Sequence, residues 1–144
     1  MSVYIEAQPF DPAARLTQFE AGQPVGSFGA TASFVGTMRD FNEGDSVTCM
    51  TLEHYPGMTE KQLEAVISDA REQWDILDAL IVHRVGDIMP GQPIVLTAVS
   101  SAHRAAAFDA CRFLMEALKS RATFWKKETL ASGDTRWVEK NTPG

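Results

Sequence analysis

Ile94–Arg121 reads IVLTAVSSAHRAAAFDACRFLMEALKSR, and this stretch decides the architecture. Ile94 to Ser100 is an apolar run of strand length. From His103 onward the apolar residues recur three and four apart. Ala107, Phe108, Cys111, Leu114, Met115 and Leu118 form one stripe of a helix that runs to about Arg121. A buried strand therefore hands over to an amphipathic helix at Ser100-Ser101-Ala102-His103-Arg104. The first amides of a helix lack internal partners, and the helix dipole adds about half a positive charge there. A His and an Arg on that turn suit an anion such as phosphate, whose oxygens an Arg fork grips in pairs. The plainer reading has Ser101 capping the helix and both basic side chains in water.

Upstream, Ala79–Val85 is a second apolar strand, joined to the first through a turn at Pro90-Gly91, where Pro presets φ and Gly supplies a positive one. Thr59 opens another helix. Thr59 and Gln62 have the spacing of a capping box, and Met58 and Leu63 that of a hydrophobic staple. Leu63, Val66, Ile67, Ala70 and Trp74 make its apolar face. Gly29–Met38 and Val47–Tyr55 read as strands, separated by Asp40–Ser46, a polar and mobile loop. Near the start, Ser2–Ala7 forms a short strand, and Asp11-Pro12 caps a short helix to about Glu20. Thr123–Leu130 and Thr135–Glu139 close the chain as a hairpin. Strands and helices mix without strict alternation. The expectation is an α+β fold, one domain over residues 1–144, with a mixed, mostly antiparallel sheet and two main helices.

The chain carries thirteen Lys/Arg and nineteen Asp/Glu, for a net charge of −6, which speaks against general nucleic-acid binding. Six of those basic residues and two of the acidic ones lie between His103 and Lys127. A basic island in an acidic chain suits a compact anion. Within it, Lys119 falls on the border of the helix stripe, where its stem can lie on apolar surface while its ammonium enters a cleft. Lys126 and Lys127 follow on a strand. Adjacent strand residues face opposite ways, so only one of them can share a cleft with Lys119. Lys126 keeps the parity of Phe124 and Glu128, and Lys127 that of Trp125. Arg39 ends a strand just before the polar loop, a common place for functional groups.

Other chemistries find no support. Cys49 and Cys111 stand far apart and read as reduced packing residues, and the three His have no metal-site spacing. There is no nucleophile elbow, Walker loop or dinucleotide fingerprint. Neither a signal peptide nor a run approaching the ~20 apolar residues of a membrane span is present. The expectation is a cytoplasmic protein with no membrane or metal site.

Six segments together resemble one family, the large subunits of molybdopterin synthase (MoaE). They are Val35-Gly36-Thr37-Met38-Arg39, Leu52 through Glu60 (LEHYPGMTE), His83-Arg84-Val85-Gly86 with Pro90-Gly91, Ser101-Ala102-His103-Arg104, Leu118 through Glu128 (LKSRATFWKKE), and Arg136-Trp137-Val138-Glu139. The likeness spans Val35 to Glu139 in order. It implies a hammerhead-like α/β fold and a sulfurtransferase that builds the dithiolene of molybdopterin from a cyclic pyranopterin monophosphate. The sulfur would come from a small ubiquitin-like partner ending in a Gly-Gly thiocarboxylate, with no cofactor. Two large subunits would form a central dimer within a heterotetramer. By the same resemblance Lys119 and Lys126 are catalytic. It also implies that Thr37, Met38, Arg39, His103, Arg104, Lys127 and Glu128 bind substrate.

Two departures stand out. Thr123 occupies a position where relatives are expected to carry proline, which would loosen the corner before Phe124. The chain ends Pro143-Gly144, unlike the sulfur donor, and the longer tail expected of relatives would be absent or short. The competing classes are a non-catalytic pterin-phosphate binding module and a regulatory paralogue. Neither would need both Lys119 and Lys126.

Overall fold

A computed structural model describes residues 2–139. The Pro143-Gly144 ending lies outside the described residues. The strands divide between two sheets. In the first, the order is β1 (Ser2–Glu6), β5 (Asp78–Arg84), β7 (Pro93–Ser101) and β2 (Ala30–Thr37). Only the β1–β5 pair is parallel. In the second, β4 (Asp45–His54) pairs with β8 (Phe124–Leu130) on one side, and with β3 (Phe41–Asn42) and β6 (Gly86–Ile88) on the other; β9 (Thr135–Val138) continues from β8.

Alternation along the first sheet sends residues to two cores. Ala79 and Ile81 of β5, with Val95 and Val99 of β7, meet α2 (Met58–Gln73) and α3 (Arg104–Arg121). Leu80, Val82, Leu96 and Ala98 face the other way, onto Phe19 of α1 (Pro12–Ala21). The short first helix forms as its Asp11-Pro12 start predicts: the Asp11 carboxylate accepts from the amides of Ala13 and Ala14. A third core, Met38, Val47, Met50, Leu52 and Ile88, lies on the second sheet.

Three local expectations are corrected. The Thr59/Gln62 capping box does not form. Helix α2 begins one residue earlier, behind Gly57 at φ 86°, and the Glu60 carboxylate accepts the Gly57 amide at 3.1 Å. Met58 is left exposed, so there is no staple. Thr59 is instead fully buried; its hydroxyl accepts from the Tyr55 amide and donates to the Thr123 carbonyl, both at 2.9 Å. Gln62 Oε1 accepts the Thr123 amide at 2.7 Å. Proline at 123 would lack that N–H, so here the departure is tied down rather than loosened. Thr59→Val removes both hydroxyl bonds at constant shape. It is expected to lower stability by ~1–3 kcal/mol, since the Tyr55 amide and Thr123 carbonyl lose their partner; thermal unfolding checks this.

Second, Asp40–Ser46 is no open loop but a tight hairpin, with Glu43 at φ 51° and Gly44 at φ 81° between β3 and β4. Two successive positive φ values match the right-handed twist of paired strands. Third, Phe108 leaves the α3 stripe and is 66% exposed, while Ala110 and Ala117 are buried. The helix sits close on β2 and β7, where small side chains fit.

Candidate functional site

A concavity of about 710 Å³ opens where the end of β2, the second sheet and the C-terminal end of α3 converge. Its apolar lining includes Phe34, Met50, Leu52, Met115, Leu118 and Phe124. Three cations enter it from three elements: Arg39 after β2, Lys119 near the end of α3, and Lys126 on β8.

Each cation is held for a local reason. The Met38 amide donates to the Gln92 carbonyl, and the Gly91 amide returns a bond to the Met38 carbonyl. Gly91 sits at φ 87°, as the turn requires. Buried Arg84 donates to the Asp87 carbonyl at 2.7 Å, across the same segment. Arg39 thus leaves the sheet from a fixed point, and its guanidinium lies 4.7 Å over the Phe41 ring. Lys119 is half-buried, next to the buried Leu118 in the α3 stripe. The β8 face that points into the cleft is Phe124, Lys126 and Glu128, the parity read from the sequence. Lys127 points the other way, its ammonium 5.7 Å from the centroid of the Trp137 ring, and does not border the cleft.

Burial depresses the Lys126 pKa below the usual lysine value of 10.5. Glu128 pulls it back up, while Lys119 and Arg39 add to the fall. Lys126 thus feels the charge of both other cations. A lysine with a lowered folded-state pKa costs stability while it is charged. That cost is full below the folded pKa and fades as pH rises through the unfolded value. Lys126→Met is therefore expected to raise the melting temperature by a few degrees at pH 7, with the gain shrinking toward pH 10.5. Melting curves across that pH range check it.

Glu128 is buried and already occupied. Its two oxygens accept from Asn42 Nδ2 at 3.2 and 3.0 Å, and Oε1 accepts from Arg136 Nε at 3.0 Å. Arg136 also reaches Asp45 at 2.9 Å and the Asn42 carbonyl at 3.0 Å. The carboxylate thereby ties the β3–β4 hairpin and β9 to the strand that carries Lys126. Thr37 and Met38 border the cleft, though Met38 is mostly buried in the third core.

His103 and Arg104 lie elsewhere. Both are exposed at the first turn of α3, where Ser101 Oγ accepts the His103 amide at 3.2 Å. Gly29 makes room for this corner: its amide donates to the Ser101 carbonyl, and a Cβ on it would stand 2.5 Å from the Ala102 carbonyl oxygen. Fifteen helical residues separate Arg104 from Lys119, which at 1.5 Å per residue is about 22 Å. One copy of the chain cannot bring them onto the same small substrate.

Sequence reasoning missed Phe34, Asn42, His83 and Arg136 as parts of this region. A histidine inside an otherwise apolar strand was the one available signal. Asn42 and Arg136 meet Glu128 only through long-range pairing.

Comparison with known proteins gives a consistent result. A family model described as MoaE protein matches residues 5–121. The molybdopterin synthase catalytic subunit of Pseudomonas aeruginosa is 51% identical over 139 residues, covering 96% of this chain and 91% of that protein. That of Ralstonia nicotianae is 50% identical over 138 residues, covering 96% and 77%. The crystal structure of molybdopterin synthase from Staphylococcus aureus superposes with a TM-score of 0.85 at 29% identity, covering 95% of this chain and 96% of the other.

Proposed function

From the premise that the chain belongs to the MoaE family, the catalytic subunits of molybdopterin synthase, we propose that the Arg39/Lys119/Lys126 cleft is where sulfur passes to a cyclic pyranopterin monophosphate. The donor is the C-terminal thiocarboxylate of a small ubiquitin-like subunit, whose extended tail enters the cleft. Its sulfur bonds to a pterin side-chain carbon and takes the place of that carbon's oxygen. Water then cleaves the acyl–sulfur bond, leaving sulfur on the pterin and a carboxylate on the donor. Two such rounds complete the dithiolene: one displaced oxygen leaves as water, and the other is a phosphate-ester oxygen, whose departure opens the cyclic phosphate. Charge develops on sulfur, on the acyl oxygen and on the phosphate, and preorganised cations stabilise it. Lys119 and Lys126 serve the transfer. Arg39 holds substrate at the strand end, with Thr37 and Met38 beside it. Glu128 orients the Lys126 strand through Asn42 and Arg136, and Lys127 acts from the opposite face of that strand.

The observation that carries this reading is the convergence of three cations, from three separate elements, on one cleft with apolar side chains among its walls. Such a site binds an anion, and its apolar walls strengthen the charge interactions beside them.

The same reading makes the working unit a homodimer. If His103 and Arg104 grip the substrate phosphate, the ~22 Å between Arg104 and Lys119 along α3 requires a second copy to supply them. The dimer would carry one small subunit per protomer, as a cytoplasmic heterotetramer whose large-subunit chains are single domains. Purified chain, mixed with thiocarboxylated small subunit and pterin precursor, should yield the dithiolene product. Light scattering should find a dimer alone and a heterotetramer with the partner. A monomer under both conditions, or no product, would contradict the proposal.

A further inference from the structure

His83 stands where the pattern of β5 asks for an aliphatic residue. Ala79 through Val82 are all buried, and His83 itself is only 5% exposed, yet it borders the cleft that holds Lys119 and Lys126. Its ring lies nearly flat on Phe124, with centroids 4.0 Å apart and planes 18° from parallel. Its Nδ1 is 2.8 Å from the Arg84 carbonyl oxygen. A carbonyl oxygen only accepts, so Nδ1 carries the proton and donates it. In the neutral ring, Nε2 is then a bare acceptor, at the end of the imidazole away from the backbone.

The ring stays neutral. Burial drives its pKa down to about 4 against the support of the Arg84 bond, and the neighbouring His54 on β4 and Lys119 on α3 add to the fall. At neutral pH the imidazole is therefore neither an acid nor a base strong enough to deprotonate a lysine. It can act as a fixed acceptor. Tautomer, ring plane and charge state are each set by a different neighbour, more constraint than filling space between β5 and Phe124 would need.

We propose that His83 is a positioning residue for Lys119: in the substrate-loaded cleft its bare Nε2 accepts a hydrogen bond from the Lys119 ammonium, directly or through one water, and aims the remaining N–H groups at the sulfur-transfer centre. This rests on the reading that Lys119 serves that transfer.

Two isosteres separate positioning from packing. In His83→Asn the side-chain amide can still donate to the Arg84 carbonyl but nothing replaces Nε2. In His83→Gln an acceptor reaches the Nε2 position while the Arg84 bond is lost. The assay is single-turnover sulfur transfer by the dimer with thiocarboxylated small subunit, read per folded protein across pH. His83→Asn is expected to slow transfer roughly ten- to hundredfold, the loss of a hydrogen bond to a charged group. The basic limb of its pH–rate profile should move to lower pH, because an ammonium deprived of an acceptor releases its proton more readily. His83→Gln should stay near wild type in both respects, even where its melting temperature falls. Wild-type rate and profile in His83→Asn, or equal failure of both variants including failure to fold, would overturn the proposal and leave His83 a packing residue. Lys119→Ala run alongside keeps the two ideas apart. If it transfers sulfur normally, the underlying reading fails; if it is inactive while His83→Asn is normal, only this inference fails.

Discussion

Lys119→Ala and Arg104→Ala chains, each strongly impaired alone at substrate concentrations below saturation, are expected to recover activity when mixed into one dimer. The two residues sit at opposite ends of α3, about 22 Å apart, so a substrate touched by both must lie between two copies. In a two-fold dimer the same surfaces recur on both partners. A mixed dimer then holds one site with both defects and one with neither. Random assortment makes half the dimers mixed, each with one intact site, so recovery should approach about a quarter of wild-type activity per chain. Co-expression with two different tags and isolation of the doubly tagged dimer would raise that to about half. Arg104→Ala by itself should leave the fold alone, because an exposed first-turn residue rarely contributes more than ~0.5 kcal/mol. Its substrate affinity should fall roughly ten- to hundredfold, as for a lost charge-assisted phosphate contact. If the mixed dimer stays at the level of its parents, the two residues do not serve a shared site, and the role of His103 and Arg104 in phosphate binding loses its geometric basis.

Much of this was legible in the residues, for identifiable reasons. The turn from Ser100 to Arg104 was placed within a residue because an apolar strand abuts a helical stripe there, and the change of period is sharp. The parity of Phe124, Lys126 and Glu128 separated Lys126 from Lys127 once a strand was granted, since side chains alternate without exception along a regular strand. What failed was whatever depends on distant partners. Thr59 has the spacing of a cap but is claimed by the Thr123 carbonyl across the α3–β8 corner. Phe108 has the spacing of a core residue, but the close approach of α3 to the sheet favours Ala110 and Ala117. Glu43 gives no hint of the left-handed backbone it adopts, because outside Gly, Asn and Asp such conformations are chosen by strand pairing rather than by the residue. The division into two sheets follows from the β4–β8 pairing, between residues seventy or more positions apart. The separation of His103 and Arg104 from the cleft follows from helix length alone.

Replacement of Lys119 by alanine, arginine and methionine is expected to split activity from stability. If its ammonium stabilises developing charge, Lys119→Ala should lose ~10²–10³ in rate, the usual effect of removing one preorganised donor. The fold and the small-subunit complex should remain. Lys119→Arg should recover only part of the loss, because a guanidinium is planar, needs more room and does not give up its proton. Lys119→Met keeps an unbranched stem over the apolar stripe and removes the charge. Were Lys119 merely covering that surface, methionine would repair whatever alanine damaged. The decisive measurement is therefore single-turnover dithiolene formation by Lys119→Met, with thiocarboxylated small subunit and pterin precursor, set beside its melting temperature. Wild-type melting with transfer reduced at least about a hundredfold is the predicted result; wild-type transfer by the methionine variant would contradict the assignment of sulfur transfer to this cleft.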